Sequence, residues 1–168
     1  MTIPGVSRDD PAFKDNTYWR GRIWPTFNYL VSQGLRRCGE DAAANALADR
    51  SFALFRRSWD GRRLCAENYN AETGEALDQP DTEGFYSWGA LMALLGVART
   101  MDIGPWRGWE ITNHGEATTL GPIASPVGKV VVSVDGGVLT LAKGAQPLLV
   151  TNIRGAISQL HFGEGVIS

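Results

Sequence analysis

Residues that carry common metal and redox chemistry are scarce in this chain of 168 residues. It has two histidines, His114 and His161, and two cysteines, Cys38 and Cys65. Neither pair stands at the spacing that zinc ligands require, so the sequence predicts no metal site. Two cysteines do not make a disulfide framework, and free cysteine behaves as a small apolar residue. We therefore expect both thiols to be buried.

Excess charge and long apolar runs are also missing. The formal net charge is -2 at pH 7, and no run of Lys or Arg offers a footprint for nucleic acid or for an anionic membrane. No stretch approaches the roughly eighteen apolar residues that a membrane span requires, and the N-terminus lacks the pattern of a signal peptide. The chain as written is expected to be soluble and cytoplasmic.

Two catalytic motifs are absent from the sequence. One is G-x-S-x-G, which presents a nucleophilic serine, and the other is a glycine-rich phosphate loop that opens a helix. The glycines of VDGGV lie between two runs typical of strands, where they suit a turn. The sequence therefore predicts neither a serine hydrolase nor a bound cofactor.

Helical periodicity runs through the N-terminal part of the chain. Apolar residues recur at three- and four-residue steps after Pro25, which suits the first turn of a helix over residues 25–39. A second helix is predicted over 40–59, and a third, apolar on nearly every side, over 85–100. Three such helices cannot cover one another's apolar faces, so we expect a further partner surface.

The period changes to two in the C-terminal part. KVVVSVDGGVLTLAKG alternates on both arms and predicts a hairpin that turns at Asp135-Gly136-Gly137. The neighbouring runs WEIT, ATTLG, LLVTNIRG and AISQLHFGEG extend it to five or six antiparallel strands, in a small sheet or half-sandwich. Helices followed by strands indicate an α+β chain, with residues 1–103 as a helical domain and 104–168 as a β appendage.

The segment CAENYNAETGEALDQPDTEGFYSW joins the second and third helices and is too long for a simple connector. Together with YWRGRIW it supplies aromatic, carboxylate, amide and guanidinium groups, which are the groups that bind sugar faces and hydroxyls. The same residues also suit an ordinary aromatic core, with Arg20 paired to an interior acid. Composition alone favours that simpler interpretation.

The order of these motifs adds to their composition. YWRGRIWPTFNYLVSQGL, followed by ENYNAETGEALD and GFYSWGALMALL, resembles the C-terminal part of the catalytic domain of glycoside hydrolase family 63. The resemblance covers residues 8–100 approximately and none of the β appendage. It implies part of an (α/α) toroid and an inverting mechanism, in which two carboxylates stand about 6.5–9.5 Å apart with a water between them.

The resemblance also implies roles for individual residues. Glu67, which opens the motif ENY, would be the general base that deprotonates the attacking water. The other residues that it implies would line the glycone pocket, hold the water or the sugar, or back the site: Trp19, Arg20, Gly21, Trp24, Asn68, Tyr69 and Trp88. Glu83 is the rival for the base, and we interpret Glu72, Glu75 and Asp78 as solvated loop charges or charges at a helix N-terminus.

The chain departs from the family pattern in one respect that concerns activity. The family's general acid is an Asp in a motif upstream of YWRG, and Asp9, Asp10 and Asp15 do not match that motif. We therefore expect a C-terminal portion of an α-glycosidase for α-glucosides or α-mannosides, inactive alone. Its partner would be the upstream part of the toroid or a second copy bound through exposed helix faces. The alternatives are a non-catalytic carbohydrate-binding module and a purely structural fragment.

Overall fold

The computed structural model describes residues 2–104, 108–160, 162–163 and 166–167. The described chain divides into two compact units, Met1–Gly96 and Val97–Ser168. Three helices lie in the N-terminal part and antiparallel sheets in the C-terminal part, which confirms an α+β chain. None of the helices in the described ranges has the length and apolar character needed to cross a membrane.

The first two helices form where the periodicity predicts them. Helix α1 spans Pro25–Arg37, and its proline occupies the first turn, where no backbone N–H is needed. Helix α2 spans Asp41–Arg62 and continues past the predicted end at residue 59. It ends where Arg63 adopts a left-handed conformation, with φ of 56°. The buried residues of both helices are mostly small or polar, with Leu47 of α2 as a larger apolar one, and the two helices contact each other.

The third helix begins later than predicted. Residues 85 and 86 are extended, because Phe85 forms a parallel bridge with Cys65 and the Tyr86 N–H donates to the Cys65 carbonyl. A short 3₁₀ helix, Ser87–Gly89, follows, and α3 spans Ala90–Ala98. Phe85 and Tyr86, at the start of the apolar run, therefore pair with the long loop at Cys65 and do not belong to the helix.

The long loop between α2 and α3 is anchored in the core of the first unit. Strand β1, Arg22–Ile23, pairs antiparallel with strand β2, Tyr69–Asn70. The loop thereby contributes three of the buried residues of an apolar cluster formed by Ile23, Ala66, Tyr69, Ala76 and Met92. Burial of these side chains stabilises the loop in one conformation.

In its described residues, the second unit contains two antiparallel sheets and a short strand pair. A three-stranded sheet contains β3 (Met101–Gly104), β4 (Gly108–Asn113) and β9 (Gly155–Leu160), and a four-stranded sheet contains β5 (Thr118–Ser125), β6 (Gly128–Asp135), β7 (Val138–Lys143) and β8 (Gln146–Thr151). The remaining pair is β10 (Phe162–Gly163) and β11 (Val166–Ile167).

The predicted hairpin at Asp135-Gly136-Gly137 is confirmed, but the strands of this unit do not form a single sheet. Gly136 and Gly137 join β6 to β7 with φ of 53° and 82°, as the DGG turn predicts. The strands divide between two sheets because β9 returns to pair with β4, while β5 to β8 form a separate meander. Both sheets bury apolar residues in one cluster: Met101, Ile111, Val130, Val132, Val134, Leu139 and Leu141.

Gly21 allows the chain to turn into β1. Its φ is 82°, and a Cβ built there would lie 2.2 Å from the Phe13 carbonyl oxygen. A side chain at this position would meet backbone that cannot move aside. Gly34 on α1 provides the opposite case, because a Cβ there would meet no atom within 4 Å.

We expect Gly21→Ala to lower the free energy of unfolding by at least about 1–2 kcal/mol, since alanine is strained at positive φ and would also clash. Gly34→Ala should raise it by up to about 1 kcal/mol, because alanine favours an exposed helix position. Urea unfolding followed by tryptophan fluorescence measures both values. Equal stability of the two variants would contradict the close approach at Gly21.

Candidate active site

A tight turn presents two aromatic side chains at the surface of the first unit. The backbone groups of Thr17 and Arg20 bond to each other at 2.9 Å in both directions, which places Tyr18 and Trp19 at the tip. The Trp19 ring stacks on Trp24, with centroids 3.8 Å apart and planes at 24°. Trp19 remains 37% exposed, whereas Trp24 is only 1% exposed. Trp24 therefore supports the turn from behind.

Trp24 also links the turn to the loop that carries Glu67. Its indole N–H donates to the Tyr18 carbonyl at 3.0 Å, and its ring meets the edge of Trp88 at a centroid distance of 6.0 Å. The indole N–H of Trp88 donates to the Glu67 carbonyl at 3.0 Å. The structure thus brings Trp19, Trp24, Trp88 and Glu67 together, although they come from two distant motifs.

Glu67 is half-buried and held by neutral groups. Its N–H donates to the Glu83 carbonyl at 2.9 Å, and its carboxylate Oε2 accepts from the Glu83 N–H at 3.2 Å. Within the part of the chain that the structure describes, no cation pairs with this carboxylate. One oxygen is therefore bound to a backbone N–H, and the second can accept a proton from a water molecule. Glu83, the rival for the base, is exposed.

Arg20, which closes the exposed turn, forms an exposed ion pair with Asp15 at 2.9 Å. Two other residues predicted for sugar contact lie away from the aromatic surface. Asn68 and Tyr69 are buried, so neither presents its side chain to solvent. Burial, with a smaller effect of Cys65, raises the pKa of the Tyr69 hydroxyl to about 12, so this hydroxyl remains protonated at neutral pH. The Asn68 side chain accepts instead from the buried Arg22 guanidinium.

The buried polar network beneath Glu67 was missed by sequence reasoning. Arg22 is fully buried, its Nε donates to Asn68 Oδ1 at 2.7 Å, and its Nη1 lies 2.7 Å from Asp78 Oδ1. The second carboxylate oxygen of Asp78 accepts from Asn70 Nδ2 at 2.7 Å. The interpretation of Asp78 as a solvated charge was wrong, because the acid compensates a buried cation. A signal did exist, since an arginine inside the apolar motif GRIW requires a partner if it is buried.

The charge state of Asp78 follows from these contacts. Burial alone would raise the pKa of the Asp78 carboxyl, but hydrogen bonds from Asn70 and Arg22 and the charge of Arg22 outweigh it. The pKa therefore lies below its ordinary value of 3.8. Asp78 is a carboxylate throughout the neutral range.

Among the residues that the structure describes, the cysteines and His114 are not grouped into a second site. Both thiols are free, and the expectation for Cys38 was wrong, because it follows the last turn of α1 and is exposed. Cys65 is buried, and its burial raises the pKa of the thiol. His114 bonds to the Arg99 carbonyl, and His161 lies outside the described residues. No group of three or more potential metal ligands occurs among the described residues.

A separate open cleft of about 440 Å³ lies between α2 and the turn after β2. Its lining includes Arg50, Arg57 and Glu72 and none of the residues predicted for the sugar site. The aromatic surface and Glu67 are therefore distinct from this cleft.

Comparison with known proteins identifies the family. The profile of the mannosylglycerate hydrolase MGH1-like glycoside hydrolase domain matches residues 1–89. The chain belongs to this family. The matched range contains Glu67, Trp88 and every other residue of the candidate site. The resemblance to glycoside hydrolase family 63 is thereby confirmed.

Individual relatives agree with this assignment. The chain is 37% identical over 92 residues to the mannosylglycerate hydrolase of Thermus thermophilus, a match covering 55% of this chain and 20% of that protein. It is 32% identical over 98 residues to mannosylglycerate hydrolase MGH1 of Selaginella moellendorffii, covering 58% and 18%. The mannosyl-oligosaccharide glucosidase of Saccharomyces cerevisiae is 30% identical over 101 residues, covering 52% and 12%.

The matches are partial on the side of the relatives. The chain spans about a fifth or less of the length of these three proteins. No solved structure matches the chain.

We expect Asp78→Asn to lower the free energy of unfolding at pH 7 by about 2–3 kcal/mol, because it leaves the buried Arg22 charge without its counter-ion. The folded-state pKa of Asp78 is depressed, so its carboxylate stabilises the fold above the ordinary pKa. That contribution is lost as the pH falls through the folded-state pKa. The difference between parent and variant should therefore shrink below pH 3.8.

The matched control is Asp60→Asn, which removes an exposed pair between Arg56 and Asp60 one helical turn apart. We expect this change to cost less than about 0.5 kcal/mol. Urea unfolding at several pH values measures both variants. A loss at Asp78 no larger than the loss at Asp60 would contradict the role of Asp78 as counter-ion of the buried Arg22.

Proposed function

We propose that this chain supplies the general base and part of the glycone pocket of an inverting α-glycosidase that acts on α-glucosides or α-mannosides. One observation carries the proposal: a half-buried Glu67 carboxylate, held only by a backbone N–H, is connected through Trp88 and Trp24 to the exposed ring of Trp19. Family membership adds to this geometry.

In the proposed reaction, Glu67 takes a proton from a water molecule as the water oxygen attacks the anomeric carbon. The bond from that carbon to the leaving oxygen breaks, and the general acid protonates the leaving oxygen. The proposal assigns that acid to a segment outside these 168 residues. Without it, catalysis falls by about 10²–10⁴-fold, so the chain alone is expected to be inactive.

The sugar would lie against the aromatic surface. Trp19 offers an indole face that suits the apolar C–H face of a pyranose, and Tyr18 adds a second exposed ring at 5.3 Å from it. Arg20 lies at the edge of the same turn, where its guanidinium can donate to hydroxyls after partial release from Asp15. Gly21 would keep the turn close to the backbone below it.

We also propose the domain assignment that underlies this function. Residues 1–103 would be the C-terminal portion of an (α/α) toroid, and residues 104–168 an antiparallel β appendage. Helix α1 supports this assignment because Phe27, Leu30 and Val31 are exposed along one helical face. A neighbouring helix would cover such a stripe, supplied by the upstream part of a toroid or by a second copy.

A graft tests the catalytic role. We expect the Thermus thermophilus mannosylglycerate hydrolase, with its matching segment replaced by residues 1–89 of this chain, to hydrolyse mannosylglycerate. Glu67→Gln in the graft should reduce kcat by at least about 10²-fold, because the amide cannot accept the proton of the water.

The control in the graft is Glu72→Gln, which changes an exposed acid of the same loop and should leave kcat unaffected. Unchanged activity after Glu67→Gln would remove this residue from the reaction.

Binding by the 168-residue chain tests the aromatic surface. Titration calorimetry with mannose, glucose, trehalose and mannosylglycerate should detect at least one ligand, and Trp19→Ala should weaken its binding about tenfold, in line with the loss of one stacked ring. Leu30→Ala, an exposed change on α1, should not alter the affinity.

The two experiments separate the candidate functions. If Trp19→Ala weakens binding but Glu67→Gln leaves the activity of the graft unchanged, the results would favour a carbohydrate-binding module. Affinity that is the same in the Trp19 variant would contradict the proposed pocket.

A further inference from the structure

We infer that Arg22 is a positioning residue, whose buried guanidinium, paired with Asp78, fixes the peptide that carries the Glu67 carboxylate. The inference rests on the proposed function, because it concerns how the base is held. Neither the family motif nor the sequence periodicity assigns Arg22 a role. Its contacts do.

Arg22 connects the two ends of the loop segment that begins at Glu67. One side of the guanidinium donates from Nε to Asn68, directly after Glu67, and Nη1 pairs with Asp78 at the far end. Both distances are 2.7 Å, and the guanidinium is fully buried. Burying a charge is costly unless it is paired, so the ion pair with Asp78 compensates the buried cation, while the hydrogen bond to Asn68 fixes the direction of the guanidinium.

The segment between these ends is also held. Asn70 donates from Nδ2 to Asp78, while its Oδ1 accepts from the N–H groups of Glu72 and Thr73 at 2.8 and 3.1 Å. Antiparallel pairing places Asn70 opposite Arg22 in the register of β1 and β2. A slip of this register would separate Arg22 from its partners.

Glu67 is therefore fixed from two directions. Glu83 and Trp88 hold its own peptide groups, and Arg22 holds the side chain of the next residue, Asn68. The freedom that remains is rotation of the Glu67 side chain, and one carboxylate oxygen is held by the Glu83 N–H. A general base needs such control, because its oxygen must stay within hydrogen-bond reach of the water.

Lysine cannot reproduce the two contacts. A guanidinium donates in fixed directions from separate nitrogens, whereas an ammonium is a single point charge on a flexible stem. Arg22→Lys should keep the charge balance with Asp78 and hence the fold, but lose the hydrogen bond to Asn68. The pair of variants Arg22→Met and Arg22→Lys thus separates positioning from stability.

The Glu83 amide reports the position of the carboxylate in the full chain. Its proton donates to Glu67 Oε2, so Glu67→Gln should change its NMR chemical shift. The measured quantity is the change in the Glu83 amide shift that Glu67→Gln causes at pH 7. We expect this change to be less than about half as large in the Arg22→Met and Arg22→Lys variants as in the parent chain. Because the signal comes from folded molecules, a uniform loss of stability would not change it.

Arg57→Met is the matched control. Arg57 holds the middle of the same loop through the Thr73 carbonyl at 2.8 Å and Glu75 at 3.4 Å, and it makes no contact with Asn68. The shift difference should persist in that background. If it persists equally in the Arg22→Lys background, the inference is wrong, and this outcome decides the question even if Arg22→Met does not fold.

The kinetic test uses the graft, and its result does not depend on the NMR measurement. Arg22→Lys should lower kcat by about tenfold with little change in KM, since the aromatic surface that binds the sugar is not altered. An unchanged kcat in a graft that Glu67→Gln inactivates would overturn the role of Arg22 alone. A graft indifferent to Glu67→Gln would instead overturn the proposed function, and the NMR result would stand separately.

Discussion

The pairing of the buried Arg22 guanidinium with Asp78 is the constraint on which the first unit depends. A fully buried guanidinium needs a carboxylate and hydrogen-bond acceptors, and both come from the loop between α2 and α3. Together with the burial of Ala66, Tyr69 and Ala76, these contacts offset the entropy lost when so long a loop adopts one conformation. The cation in β1 therefore determines where Asn68 and Asp78 lie, and with them the peptide of Glu67.

Aromatic packing completes this arrangement from the other side. Trp24 is buried between the exposed turn and the 3₁₀ helix, where it contacts Trp19 by stacking and Trp88 edge-on. Trp88 then bonds to the Glu67 carbonyl. One tryptophan thus couples the surface that suits a sugar face to the backbone of the proposed base. Packed, rigid aromatic rings thus connect the proposed sugar surface to the peptide of the proposed base, as precise positioning of a catalytic group would require.

Much of the fold follows from local patterns. Helices α1 and α2 and the β6–β7 hairpin appear where three-to-four-residue and two-residue periods predict them, because those periods report which face of an element is buried. The third helix shows the limit of this reasoning. Phe85 and Tyr86 continue an apolar helical pattern, yet Cys65 pairs with them as extended backbone. Cys65 and these two residues are about twenty positions apart, and the spacing of apolar residues within a segment does not indicate which distant segment it will pair with. The same holds for the division of the strands into two sheets, since the pairing of β9 with β4 spans four intervening strands.

By itself, the sequence determined the α+β class, the principal helices, the hairpin and membership of a glycoside hydrolase family, because each of these is written in local residue order. It also named Glu67 and the tryptophans as one group. Only the tertiary structure decided which of those side chains face outward and which support them. Trp19 remains exposed, whereas Trp24, Asn68 and Tyr69 are buried. Asp78 is the counter-ion of the buried Arg22 and not a solvated loop charge. Burial and ion pairing depend on which distant segments meet, and that information resides in the folded chain and not in any single stretch of it.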